Sequence, residues 1–226
     1  VNWLIANWSS VSDLFLDHVR LSVPPVLVSF VVALPLGYWA SKSARARFVL
    51  FSLSGVLYTV PSIALLVVVP VIIGAAILDP NNVVVALSVY GVALMVRSSA
   101  EAFASVPESV RNAAVAVGYS PWQRFVNVEL PLAGPVLLAG IRVVSVSTVS
   151  LVSVGSFIGI SSLGNLFTDG FQRNFPTEIL VGIGATIVLA AALDFVLATA
   201  GRLLMPWRRA APSTARRTRK AGVRWT

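Results

Sequence analysis

Cysteine is absent from the chain, and histidine occurs once, as His18. The first absence excludes a disulfide framework and thiolate metal sites, and the second excludes a multi-histidine metal centre. Charge is scarce as well. Asp, Glu, Lys and Arg make up 12% of the 226 residues, against roughly 25% in an ordinary soluble domain. No Gly-x-x-x-x-Gly-Lys-Ser/Thr sequence occurs, so the chain has no P-loop to cradle nucleotide phosphates. Asp194 and Arg142 are the clear ionisable residues within apolar stretches. That leaves little from which to build a membrane-embedded catalytic centre. We find no internal repeat of the kind that marks many ion-gradient-driven transporters.

What the chain has instead is long apolar sequence. Hydrophobic residues make up 57% of it, and the mean hydropathy is +0.85. A bilayer-crossing helix needs about 20 mostly apolar residues. Five segments qualify: Leu21 to Ala40, Phe48 to Leu78, Pro80 to Val96, Val143 to Thr168, and Ile179 to Leu203. The second is long enough to tilt or break, and the fourth is expected to hold a span followed by a loop. The backbone in lipid must satisfy its own hydrogen bonds, so these runs are expected to be helices. The expected fold class is all-α, a polytopic membrane protein of about five transmembrane helices.

The net charge of +8 is unevenly placed. Lys42, Arg45 and Arg47 follow the first span. Arg97, Arg111 and Arg124 follow the third, and Arg208 to Arg224 follow the fifth. Five spans put all three basic groups on one side, which is then the cytoplasmic side. The N-terminus is expected outside. Arg20 and Arg173 lie on that outer side, beside Asp13, Asp17, Asp79, Asp169 and Glu178. Residues 1–20 lack the basic start and apolar core of a cleavable signal and are expected to form an extracytoplasmic segment. Trp3 and Trp8 suit interfacial anchoring. The tail 206–226 is expected to be disordered and to touch anionic lipid, without a nucleic-acid partner.

The longest stretch between spans, Arg97 to Pro131, carries helix-start and helix-stop signals. Ser105 and Glu108 have capping-box spacing, and Ser120 and Gln123 repeat it with Pro121 at the first helical position. Gly118 is placed to end the first helix in the left-handed conformation. The reading is two short helices joined by a tight turn, the second running to about Glu129 and stopping before Pro131.

Within this loop Asn112-Ala113-Ala114, then Gly118, then Val128-Glu129-Leu130-Pro131 resemble the EAA motif of binding-protein-dependent ABC importer permeases. Every spacing fits; Asn112 stands where the motif has Glu, and Val128 where it has Ile. Glu108 lies four residues before Asn112, on the same helical face. Residues 59–66, Leu138 to Arg142 and Gly159 to Gly164 are similar to stretches of the glycine betaine, carnitine and choline permeases. The resemblance implies a MetI-like fold over residues 21–205 in a bacterial cytoplasmic membrane. It implies that Asn112, Ala113, Ala114, Gly118, Val128, Leu130 and Pro131 belong to coupling helices. These would seat on a separate ATP-binding subunit, which holds the ATP and Mg²⁺; no cofactor is expected in this chain. A second permease subunit, identical or related, and a solute-binding protein are the other implied partners. The implied cargo is glycine betaine, choline, carnitine or proline, with another small solute such as an amino acid as the alternative.

In span four, Ser145, Thr148, Ser153 and Ser156 are candidates for a weakly polar substrate path. Small hydroxyl residues also allow close helix packing, and Gly155 and Gly159 fit that role at four-residue spacing. Asp194 is read as a structurally paired carboxylate near the charged end of span five, and Arg142 as a residue near the headgroups.

Overall fold

The computed structural model describes residues 2–207; the basic tail from Arg208 onward lies outside them. After a short helix α1 (Asn2–Ala6), helix α2 runs unbroken from Trp8–Lys42. The apolar run from Leu21 is therefore only the second part of a longer helix. Residues 8–20 continue it because their polar groups follow the helical period, with Val11 and His18 buried and Asp13 and Arg20 exposed. Average hydropathy does not register that pattern.

The second apolar run is broken. Helix α3 (Ala44–Thr59) and helix α4 (Ser62–Ile73) meet at 105°. Pro61 lies at the break; it has no N–H to donate and disfavours helical geometry at the residue before it. Val60 accordingly sits at φ −70°, ψ 126°. Gly74 closes α4 in the left-handed conformation, at φ 69°. Helix α5 (Pro80–Ala104) starts at Asp79, whose carboxylate accepts from the Asn81 N–H at 2.9 Å. Short helices α6 (Glu108–Ala116) and α7 (Pro121–Arg124) follow. A π-helical turn (Phe125–Glu129) then leads directly into α8 (Leu130–Val152). A 3₁₀ turn (Ser153–Ile158), α9 (Asn165–Gln172) and α10 (Pro176–Leu204) complete the described chain.

Four of these helical stretches are long and apolar enough to cross a membrane, and the bent α3–α4 pair makes five if counted as one span. The most extensive contacts are between α2 and α5, then between α5 and α8. Small residues set the first approach. A Cβ on Gly37 would strike Ser99, and one on Gly91 would strike Ser29. Helices in lipid associate through such close packing, because lipid tails give no hydrophobic drive toward each other. One buried cluster, including Val26, Ala33, Met95, Phe103 and Ile141, ties α2, α5 and α8 together; two others lie around Leu66 and Leu163.

Three local expectations are corrected. Ser105 makes no capping box with Glu108. It caps the C-terminus of α5, its hydroxyl donates to the Ala102 carbonyl at 2.7 Å, and Pro107 takes the N-cap position of α6. The helix from Pro121 does not stop before Pro131; it runs on through the π-helical turn into α8, and Pro131 follows directly on that turn. Gly159 does not pack within a helix; it ends the 3₁₀ turn at φ 85°.

Candidate functional site

The loop between α5 and α8 has an exposed tip. Gly118 turns the chain there at φ 87°, and a Cβ on it would meet nothing within 4 Å. Its requirement for glycine is thus conformational and not steric. Beyond the turn the expected second capping box forms in full. The Ser120 N–H donates to Gln123 Oε1 at 2.9 Å, and the Gln123 N–H donates to Ser120 Oγ at 3.3 Å. The tip is apolar: Val117 is 73% exposed and Trp122 72%. Trp122 stacks on Phe125, with ring centroids 5.7 Å apart. Asn112 and Ala113 are exposed on α6, while Ala114 is buried beneath it.

The tip is anchored by a charge cluster that sequence reading passed over. Glu129 has no exposed surface. Lys42 Nζ, at the end of α2, donates to its Oε2 at 2.9 Å, and Arg124 Nε of α7 donates to its Oε1 at 2.9 Å. Arg111 of α6 stands 3.7 Å from Oε2, and its Nη2 donates to the Phe103 carbonyl of α5. Against the motif Glu129 occupies a position open to any residue. The signal available was charge balance: between Arg97 and Pro131 only Glu101, Glu108 and Glu129 oppose the arginines. An aromatic group lies beside the cluster. Tyr38 meets Phe103 edge-on at 5.1 Å and Phe125 at 4.8 Å, and Lys42 Nζ lies 5.0 Å from the Tyr38 ring centroid. Thus α2, α5, α6, α7 and the start of α8 meet at one point under the loop. Val128, Leu130 and Pro131 are half-buried around it.

The profile of the family described as "Binding-protein-dependent transport system inner membrane component" matches residues 29–210, a span that includes this whole loop. The chain belongs to that family. It is 36% identical over 192 residues to the osmoprotectant import permease protein OsmY of Salmonella typhimurium, covering 84% of this chain and 80% of that one. It is 30% identical to the choline transport system permease protein OpuBD of Bacillus subtilis, covering 88% of each. It is 28% identical to the carnitine transport permease protein OpuCD of Listeria monocytogenes, covering 91% and 92%. Among solved structures, an inward-facing MetNI methionine ABC transporter chain superposes with a TM-score of 0.70 at 21% identity, over 87% of this chain and 94% of that one. That likeness establishes the fold.

Elsewhere the permease chain places its candidate residues differently from one another. Ser145 and Thr148 are 1% and 3% exposed, inside the packing of α8. Ser153 and Ser156 are half-buried in the 3₁₀ turn, and the Ser156 hydroxyl donates to the Ser153 carbonyl at 2.9 Å. Asp194 and Arg142 face each other as a two-bond fork, Nε and Nη2 each donating to a carboxylate oxygen at 2.6 Å. This pair joins α8 to α10. Because α8 starts at Leu130, Arg142 lies in the middle of its helix and not at its edge. At the far end of the bundle His18 is fully buried. Its Nε2 donates to the Val149 carbonyl at 2.9 Å, and its Nδ1 accepts the Leu163 N–H at 3.3 Å. Both ring nitrogens are satisfied, so the ring serves as a structural link between α2, α8 and the loop before α9. Among the described residues no cluster of His, Asp and Glu is suited to a metal ion.

Proposed function

We propose that this chain is the membrane-spanning permease subunit of an ATP-driven importer for small osmoprotectant solutes. The carrying observation is the apolar, glycine-turned tip at residues 115–122 seated on the buried Glu129 cluster. An exposed apolar patch on a rigid, internally anchored loop suits a docking surface. In this reading Asn112, Ala113, Ala114, Gly118, Val128, Leu130 and Pro131 form the coupling element. The tip enters a groove on a separate subunit that binds ATP and Mg²⁺ and hydrolyses the ATP. Closure of that subunit moves α6 and α7, and the Glu129 cluster carries the motion into α2, α5 and α8. The loop and the C-terminus lie in the bacterial cytoplasm and the N-terminus outside, as the basic segments favour.

A second permease chain completes the pathway, and a solute-binding protein delivers cargo from outside. The cargo class follows the osmoprotectant, choline and carnitine names of the relatives. Because the chain has no cysteine, Val117→Cys creates a single labelling site at the tip. In the assembled transporter this thiol is expected to crosslink to the ATP-binding subunit and to react with impermeant reagents only from the cytoplasmic side. Reaction from the outside, or no capture of the ATP-binding subunit, overturns the assignment.

A further inference from the structure

Between α3 and α5 lies a cleft of about 380 Å³, and its two ends differ in chemistry. Phe51, Gly55 and Tyr58 lie on one face of α3, at helical spacing. Gly55 keeps the middle open, since a Cβ there would meet nothing within 4 Å. At one end the Arg97 guanidinium lies over the Phe51 ring, 5.0 Å from its centroid, with the Arg47 guanidinium at 6.0 Å from the same ring. At the other end Tyr58 meets Tyr90 edge-on at 6.0 Å. The Tyr90 hydroxyl donates to the Val60 carbonyl, which fixes this pair at the break between α3 and α4. No acidic residue lines the cleft, and among the described residues Arg97 makes no ion pair.

Stacking on Phe51 covers one face of the guanidinium and leaves its N–H edge free. That edge matches a carboxylate by two parallel bonds. The Tyr58 ring is exposed, and aromatic faces attract quaternary ammonium groups. Phe51 and Tyr58 are about 10 Å apart along the helix axis, a separation that the long Arg97 side chain can shorten. A small zwitterion can engage both ends. A plain cation finds the ring but also meets the charge of Arg97, with no carboxylate to offset it.

We propose that this cleft is a transit site for zwitterionic quaternary-ammonium solutes, with Arg97 taking the carboxylate and Tyr58 the ammonium. Arg97 then favours carboxylate-bearing cargo such as glycine betaine and carnitine over choline, which lacks that group. The proposal rests on the importer reading and names the part of cargo recognition that the permease itself performs.

The test uses the complete transporter, with its ATP-binding subunit and binding protein, in proteoliposomes. Uptake of labelled glycine betaine, carnitine and choline is compared for the native chain, Arg97→Gln, Arg97→Lys and Tyr58→Leu. Binding of labelled glycine betaine and choline to the permease–ATPase complex without the binding protein gives the same comparison free of delivery. Arg97→Gln is expected to lower carboxylate-bearing cargo at least tenfold, the scale of a lost charge-assisted hydrogen-bond pair. It is expected to leave choline within twofold or raise it. Arg97→Lys restores part of the loss, and Tyr58→Leu weakens all three solutes. Equal loss for all three with Arg97→Gln overturns the proposal and assigns Arg97 to packing or to lipid headgroups; unchanged uptake and binding overturn it as well. If the native transporter moves and binds none of the three, the osmoprotectant reading itself fails, and the proposal with it.

Discussion

Glu129 shows how much one residue can decide here. It is a carboxylate without exposed surface, and three cations from three segments surround it. Glu129→Gln keeps the shape and removes the charge, leaving Lys42, Arg111 and Arg124 to repel one another. Breaking a fully buried ion pair costs roughly 3–5 kcal/mol. Here the cost is expected below that range, because the three cations keep 20–32% of their side chains accessible and can rehydrate. Thermal unfolding of the purified transporter should show a lowered Tm. At temperatures where the variant stays folded, ATP hydrolysis should continue while uptake falls. A variant with uptake fully coupled to hydrolysis removes Glu129 from the transmission path. Asp17 offers a contrast at the same scale. It accepts from the Ser161 hydroxyl at 3.1 Å and pairs with an Arg20 that is 76% accessible. Such an exposed pair contributes little, so Asp17→Asn should leave Tm nearly unchanged.

At the scale of elements, the α6–turn–α7 unit depends on Gly118 for conformation and on Ser120 for its cap. A residue with a Cβ in the left-handed region costs about 1–2 kcal/mol, and a β-branched one more; asparagine tolerates the region best. Gly118→Val is therefore expected to leave membrane insertion intact, to keep basal ATP hydrolysis in the assembled transporter, and to cut uptake at least tenfold. Gly118→Asn should retain most uptake. Equal activity of the two variants, measured as solute moved per ATP hydrolysed, excludes the turn as the mechanical element. The packing of α2 on α5 is steric where the turn is conformational. Gly37→Val places methyl groups against Ser99 and the Ala100 backbone N–H, where the Cβ alone already lies 2.8 Å from that nitrogen. The helices would have to separate, and recovery of folded, protease-resistant protein should drop sharply. The α2 boundary shows the limit of reading by apolar runs: the helix starts at Trp8 because its polar residues obey the helical period, although the run becomes charge-free only at Leu21.

At the scale of the whole molecule, the Arg142–Asp194 fork is the ionic link between α8 and α10. Both side chains keep partial exposure, 42% and 32%, on the wall of a shallow cleft of about 410 Å³. Asp194→Asn leaves Arg142 unpaired in an apolar setting, and that is unfavourable for any intramembrane charge. Recovery of intact transporter should fall for Asp194→Asn and for Arg142→Gln, with little change in cargo preference among the molecules that assemble. Arg142→Asp combined with Asp194→Arg should restore part of the recovery. A selective change in cargo preference would instead place the pair on the transport path.

Hydropathy and motif spacing are local properties, so the sequence by itself determined the apolar segments and the Gly118 turn with its Ser120 cap. These depend on residues a few positions apart. The tertiary structure alone decided which distant groups meet. Lys42 and Glu129 are 87 residues apart, and Arg142 and Asp194 are 52 apart; no local pattern encodes such a pairing. It also decided that Ser145 and Thr148 are buried, because a hydroxyl on an apolar helix carries no mark of which side will be covered. The bend at Pro61 lies between these cases. Pro61 favours a break there without compelling one, since α2 runs unbroken through Pro24, Pro25 and Pro35, and α3 and α4 both pack against α5 on either side of the bend.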